Sequence, residues 1–179
     1  MVWIQTYTGE AFTPLAPKTQ TIHILDIAHA LSMICRFNGH CRKFYSVAEH
    51  CVRMSEEIAP SVAIHAIMHD AAEAYISDVA RPIKPLLGGY KGIEKGIMDA
   101  VNLRFGLQYE LGDEQAIKTA DLRMLATERQ QLMSIHAPKW DCLEGIDPYP
   151  ITLACWAPSM AEGMFLDRFK ELHGSTLLA

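Results

Sequence analysis

Residues 61–76 read SVAIHAIMHDAAEAYI, and this stretch decides the fold. It follows Pro60 and is apolar on nearly every side of a helical projection, as expected of a central helix surrounded by other helices. We interpret it as one continuous helix with Ser61 as its N-cap. Its most notable polar residues are His69 and Asp70, adjacent in the sequence, and they direct attention to function.

Further helical patterns on both sides predict an all-α fold of about six helices. Ser46 and Glu49 have the spacing of a capping box, so they mark the start of a helix, and Gly106 is a typical C-cap. The predicted helices cover residues 24–35, 47–58, 61–76, 90–105, 113–135 and 159–173.

The remaining segments lack helical periodicity. Residues 1–20 predict an extended arm or a short hairpin, and residues 36–45 predict a loop rich in aromatic and basic side chains. Prolines make residues 81–87 a non-helical connector. Residues 136–158 contain four prolines and two tryptophans, and we interpret them as an ordered loop or lid. Without repeats or linker-like stretches, residues 1–179 predict a single domain.

Composition limits the functional classes. A net charge of −5 argues against a nucleic-acid binder, which would normally present a basic face. Five cysteines without CxxC spacing indicate reduced thiols. The sequence has neither a recognisable secretion signal nor an apolar run of the roughly 20 residues that span a bilayer. We therefore expect a cytoplasmic protein that does not associate with membranes.

Four polar residues from three apolar segments predict a metal site: His50, His69, Asp70 and Asp121. A lone buried histidine or aspartate is usually satisfied by hydrogen bonds, but a shared cation would remove the cost of burying all of them. Two imidazoles and two carboxylates suit one divalent Mn, Co, Fe, Ni or Zn ion, and Mg is less suited because it prefers oxygen ligands. Such a site leaves positions open for water and substrate, which favours metal-assisted hydrolysis.

The same residues carry a family resemblance. Four stretches occur in order: ICRF at 34–37, YSVAEH at 45–50, HDAAEAYISDVARPIK at 69–84, and KTADLRMLATE at 118–128. Together they resemble the HD-domain metal-dependent phosphohydrolases, especially the bacterial 5′-deoxynucleotidases and related bacterial and phage nucleotide phosphohydrolases. The resemblance covers about residues 24–128 and implies a helical HD-domain bundle. Because residues 71–120 contain no histidine, it favours a site for one metal ion rather than two.

The resemblance also implies catalytic residues. Glu73, four residues after His69 and so on the same face of the predicted helix, corresponds to the family's catalytic acid. Asp78 corresponds to a second acidic group or a ligand of the sugar hydroxyl. His65 and His69 share the spacing of zinc-binding HxxxH pairs, but residue 66 is alanine where zincins have glutamate. We therefore interpret His65 as a packed or supporting histidine.

Substrate contacts are expected in the loops that flank these helices. Arg36 offers a two-pronged phosphate donor and Lys84 a point charge, while Phe37 offers a stacking face for a base. The expected substrate is a deoxynucleoside monophosphate. The alternatives are a (d)NTP triphosphohydrolase and, in a different functional class, an inactive nucleotide sensor. The resemblance also implies a homodimer or a higher homo-oligomer.

Overall fold

A computed structural model describes residues 2–134 and 136–174 of the chain. An N-terminal hairpin pairs β1 (Ile4–Gln5) with β2 (Ala11–Phe12) in antiparallel register. The α-helices are α1 (Ile24–Met33), α2 (Val47–Glu57), α3 (Ala63–Met68), α4 (Glu73–Ile76), α5 (Tyr90–Phe105), α6 (Asp113–Leu132) and α7 (Pro158–His173). The predicted all-α class is confirmed, and the N-terminal arm is a short hairpin.

Most predicted helix boundaries lie within three residues of the observed ones. Helix α5 matches its prediction, and Gly106 ends it in the left-handed conformation at φ 65°. Helix α1 ends two residues early, at Met33, and α6 ends at Leu132 rather than at residue 135. Ile135 itself lies outside the described residues.

The predicted continuous helix over residues 61–76 is wrong. Helix α3 ends at Met68 and α4 begins at Glu73, and neither has a side-chain N-cap, so Ser61 does not have its predicted role. Between them the backbone N–H of Ala71 donates to Met68, and that of Glu73 to Asp70, three residues back. Because bonds of this span tighten the helix to about three residues per turn, Asp70 and Glu73 come onto one face.

Two apolar clusters hold the bundle together. The larger joins the hairpin to α1, α2, α3, α5 and α7 through buried side chains that include Phe12, Ile27, Val52, Ile67 and Phe165. The smaller packs α6 against α2 and α3 through Met54, Ala66 and Met124. Polar side chains of α2, the α3–α4 turn and α6 meet beside this junction. In the part of the chain that the structure describes, no helix has the length and apolar character needed to cross a bilayer.

Only one of the two contacts of the predicted capping box between Ser46 and Glu49 is present. The Ser46 hydroxyl accepts a hydrogen bond from the backbone N–H of Glu49, as predicted for an N-cap. The Glu49 carboxylate does not return the contact. It is fully buried and accepts from the backbone N–H groups of residues 154, 155 and 156 at 2.9, 3.0 and 2.6 Å. Glu49 therefore fastens the segment before α7 to α2.

Candidate metal centre

The four predicted metal ligands lie together, and we call them the candidate metal centre. His50 projects from α2, His69 and Asp70 from the α3–α4 turn, and Asp121 from α6. The His50 Nε2 atom is 3.4 Å from His69 Nε2, 3.5 Å from Asp121 Oδ1 and 3.8 Å from Asp70 Oδ2. His69 Nε2 is 3.2 Å from the same Asp70 oxygen. One ion placed among these atoms could therefore contact several of them.

Both imidazoles are oriented through their other nitrogen. His50 Nδ1 lies 2.6 Å from Oε1 of Glu128, and His69 Nδ1 lies 2.7 Å from the carbonyl oxygen of Ala66. Because both partners are acceptors, each Nδ1 carries a proton, and each ring directs its Nε2 atom towards the candidate metal centre. The two Nε2 atoms and the carboxylate oxygens therefore face one another, an arrangement that a cation would satisfy.

The pKa shifts of Asp70 and His69 reflect the same need for positive charge in the candidate metal centre. Burial alone would raise the pKa of Asp70, but the charge and hydrogen bond of His69 outweigh it and lower that pKa well below its usual range. Conversely, burial alone would lower the pKa of His69, and the Asp70 carboxylate raises it well above the usual value. A proton on His69 thus supplies part of the charge that a divalent ion would supply.

Glu128 supports the centre from behind, and sequence reasoning assigned it no role. Its side chain is fully buried and is hydrogen-bonded to His50 and to Arg36, whose Nε and Nη2 atoms donate at 3.1 and 3.0 Å. Burial opposes its ionisation, but the charge of Arg36 and the hydrogen bonds from Arg36 and His50 lower the pKa of Glu128 below its ordinary value. Its spacing in the sequence could have indicated this position, because Glu128 follows Asp121 by seven residues, which places both on the same face of α6 two helical turns apart.

Glu73 has the opposite environment. It is 4% exposed, Oε1 accepts from Lys84 at 3.3 Å, and Oε2 is buried without a hydrogen-bond partner among the described residues. Burial, together with the negative charges of Asp70 and Asp78, raises the pKa of Glu73 to about 8. Lys84 also donates to Glu94 at 3.0 Å, so this lysine is held between two glutamates.

A cavity of about 640 Å³ opens beside the centre. Two of the predicted metal ligands, Asp70 and Asp121, line it. The residues predicted to be catalytic or to bind substrate also line it: Arg36, Phe37, Glu73, Asp78 and Lys84. Arg81 also lines it and donates to Asp121 at 3.1 Å. The structure therefore gathers every predicted catalytic and substrate-binding residue around one opening.

Arg36 and Phe37 reach this cavity in different ways. Two nitrogens of the Arg36 guanidinium are engaged by Glu128, which leaves Nη1, 3.8 Å from Asp70, as the nitrogen nearest the centre. Phe37 adopts a left-handed backbone conformation at φ 57°, an unusual state for a bulky residue. Such strain is commonly retained where a side chain is needed in a particular place.

Two other candidate ligands lie beside the centre without completing it. The Cys51 thiol is 3.9 Å from His69 Nδ1, but burial raises its pKa to about 11 and keeps it protonated at neutral pH. His65 packs against Tyr109, with ring centroids 4.2 Å apart and the planes inclined at 32°, and its Nε2 lies 4.0 Å from Asp113. This placement agrees with the interpretation of His65 as a packed histidine.

The helical fold and the gathered histidine and carboxylate side chains define an all-α protein with a candidate metal-binding centre. The chain is 41% identical over 173 residues to the uncharacterized protein YfdR of Escherichia coli strain K12, an alignment that covers 96% of each chain. It therefore belongs to the YfdR family. It is also 33% identical over 161 residues to the uncharacterized protein RCAP_rcc00048 of Rhodobacter capsulatus, covering 83% of this chain and 82% of that protein. No protein-family model matches the sequence.

Proposed function

We propose that this chain is a metal-dependent phosphohydrolase of the HD-domain type and that it releases phosphate from deoxynucleoside 5′-monophosphates. The observation that carries the proposal is the set of acceptor atoms in the candidate metal centre, facing one another beside a cavity lined with cationic and aromatic side chains. The order of motifs described above adds the substrate class, because it resembles the nucleotide-directed members of that superfamily.

The candidate metal centre would hold one divalent ion, and its mixed nitrogen and oxygen donors favour Mn, Co, Fe, Ni or Zn over Mg. When bound, such an ion lowers the pKa of water and withdraws charge from a phosphoryl oxygen. Arg81, Lys84 and Nη1 of Arg36 provide positive charge at the cavity wall for the phosphate.

Glu73 is the proposed proton donor or acceptor. Its carboxyl group lies beside the centre with one buried oxygen that has no hydrogen-bond partner among the described residues, and burial raises its pKa, so it is suited to pass a proton to the leaving oxygen of the sugar. Asp78 lines the same cavity, and we assign it to a sugar hydroxyl. In this scheme Glu128 acts through His50 and is a positioning residue.

A second reaction, release of triphosphate from a (d)NTP, is favoured by one feature. A smaller cavity of about 360 Å³ adjoins His69, Asp70 and Glu73 and is also lined by Lys91 and Lys95 of α5. A longer phosphate chain that passes the centre would meet these two lysines. We retain this reaction as the alternative substrate class.

The test is a hydrolysis screen of deoxynucleoside and ribonucleoside mono- and triphosphates with Mn²⁺, Co²⁺, Zn²⁺ or EDTA, with products separated by chromatography. We expect nucleoside and orthophosphate from deoxynucleoside monophosphates, and we expect EDTA or Asp70→Ala to abolish the reaction. Asp99→Ala, which removes an exposed carboxylate paired with Lys95, is the matched control and should retain activity. Nucleoside and intact triphosphate would favour the alternative, and metal binding without turnover would indicate a nucleotide sensor.

A homodimer or higher homo-oligomer is part of the proposal. Helices α5 and α7 contact each other, since the rings of Phe105 and Phe169 lie 5.3 Å apart. On the same two helices, Leu103 and Met160 remain 75% and 53% exposed and could be covered by a second copy. Sedimentation equilibrium of the purified protein will measure the assembly.

A further inference from the structure

The cavity extends away from the candidate metal centre along one face of α6. Asp121, Leu125 and Met133 line it, and Arg129 lies on the same face because these positions are four or eight residues apart. At 1.5 Å per residue, Arg129 is ~12 Å along the helix axis from Asp121. A nucleotide whose phosphate is at the centre can therefore place its base towards this far part of the cavity.

An aromatic pair occupies that far part. Phe37 and Trp140 both line the cavity, and their ring centroids are 5.9 Å apart with the planes inclined at 50°. Trp140 comes from the loop that precedes α7, whereas Phe37 comes from the loop before α2. The two rings form a corner in which a flat heterocycle can contact the face of one and the edge of the other.

Helix α6 fastens Trp140 in place. The Arg129 guanidinium carbon lies 5.5 Å from the centroid of the Trp140 ring, and Arg129 Nη2 donates to the carbonyl oxygen of Pro138 at 3.0 Å. Farther along the loop, Gln131 donates to Ile151 and accepts from Leu153 at 2.7 and 3.0 Å. A ring held in this way loses little conformational freedom when a ligand arrives, which favours binding.

We infer that Trp140 is a specificity-determining residue that contacts the nucleobase of the substrate, with Phe37 as the second wall. The inference rests on the proposed function, which places the phosphate at the candidate metal centre. It assigns the opposite end of the cavity to a planar heteroaromatic group. An indole face binds any base, so Trp140 separates nucleotides from base-free sugar phosphates more strongly than one base from another.

The decisive experiment compares deoxynucleoside monophosphates with 2-deoxyribose 5-phosphate, which has the same phosphate and sugar but no base. Trp140→Ala should lower kcat/KM for the nucleotides by about 5- to 100-fold, mainly through KM, because base stacking is lost. Hydrolysis of the sugar phosphate should change by less than about twofold, and Trp140→Phe should retain most of the nucleotide preference. Trp3→Ala, which removes a partly exposed tryptophan of the hairpin region, is the matched control. Equal losses on both substrates, or none on either, would overturn the inference while leaving the proposed function intact.

A binding measurement separates the two claims if no substrate is hydrolysed. Titration with deoxynucleoside monophosphates should quench tryptophan fluorescence in the unmodified chain and in Trp3→Phe, and the quenching should disappear in Trp140→Phe. Under that result the proposed hydrolysis fails and the base contact stands. Quenching that persists in Trp140→Phe, or no quenching in the unmodified chain, contradicts the contact itself.

Discussion

The two sides of the candidate metal centre treat a buried glutamate in opposite ways. On the side formed by α2 and α6, Glu128 is fully paired with His50 and Arg36, and its pKa is lowered. On the side formed by α4 and the segment after it, Glu73 has one buried oxygen without a hydrogen-bond partner among the described residues, and its pKa is raised to about 8. The side chains are chemically identical, so the difference comes entirely from their neighbours.

The two environments suit Glu128 and Glu73 to different roles in the site. A carboxylate whose acceptors are all used orients its partners and has no proton to give at neutral pH. A carboxyl group with an unused oxygen and a pKa near neutrality is suited to proton transfer. The α2–α6 side is therefore interpreted as the frame of the site, and the α4 side as the part that acts on substrate.

The largest expected effect is on turnover, through Glu73→Gln. If Glu73 transfers a proton, the hydrolysis rate should fall by about 10²- to 10⁴-fold, while metal content measured by plasma mass spectrometry stays unchanged. Glu94→Gln is the matched control, because Glu94 binds the same Lys84 and should cost less than about tenfold. If Glu73→Gln loses the metal, then Glu73 supports the metal site as Glu128 does, and the proposed difference between the two glutamates is wrong.

The next effect is on metal affinity and stability, through Glu128→Gln. We expect a 10- to 100-fold loss of Mn²⁺ or Co²⁺ affinity by calorimetric titration, because His50 loses the carboxylate that orients it. The free energy of unfolding in urea should fall by about 3–5 kcal/mol, because the buried Arg36 loses the negative charge of Glu128. Adding Arg36→Met should restore part of the stability and none of the affinity; recovery of both would show that His50 is oriented by other groups.

The pH dependence of metal-free stability should distinguish the two glutamates. Folded Glu73 keeps a proton that the unfolded chain releases, so its burial destabilises the protein progressively as the pH rises from about 4.5 to about 8. In EDTA, Glu73→Gln should therefore melt several degrees above the unmodified chain at pH 9 and close to it at pH 4.5. Glu128 has the opposite sign, because its lowered pKa gives stability that is present above its ordinary range and lost on acidification. Identical melting curves for the variant and the unmodified chain at pH 9 would contradict the raised pKa of Glu73.

The smallest effect is expected from Lys84→Met. Removal of this cation should raise KM for nucleotides by about 5- to 10-fold, while the free energy of unfolding changes by less than about 1 kcal/mol, since the lysine is partly exposed. The pH–rate profile should also move to higher pH, because Lys84 lowers the pKa of Glu73. Lys170→Met, which removes an exposed lysine of α7, serves as the comparison and should leave the profile in place.

Several parts of the molecule were predictable because their causes are local. Helix α5 and its end at Gly106 follow from apolar spacing and from the ease with which glycine adopts a left-handed conformation. The candidate ligands His50 and Asp121 were identifiable because a polar residue in an apolar helix needs a partner. The class of fold followed from the same periodicity.

Other parts were not predictable because their partners lie far away in the chain. Glu49 has the spacing of a capping box, yet its carboxylate binds backbone groups more than 100 residues later. The break between α3 and α4 carries no proline or glycine, so sequence periodicity predicts a continuous helix there. Trp140 lies in a segment without periodicity, and only the cavity relates it to Phe37.

The sequence by itself determined the helical class of the fold and the candidate metal ligands, since hydrophobic periodicity and the cost of burying polar groups act at each residue. Only the tertiary structure decided that Glu128 supports the site while Glu73 has a raised pKa. That assignment depends on which charges surround each carboxylate after α2, α4 and α6 have packed, and such distances are set by the whole fold.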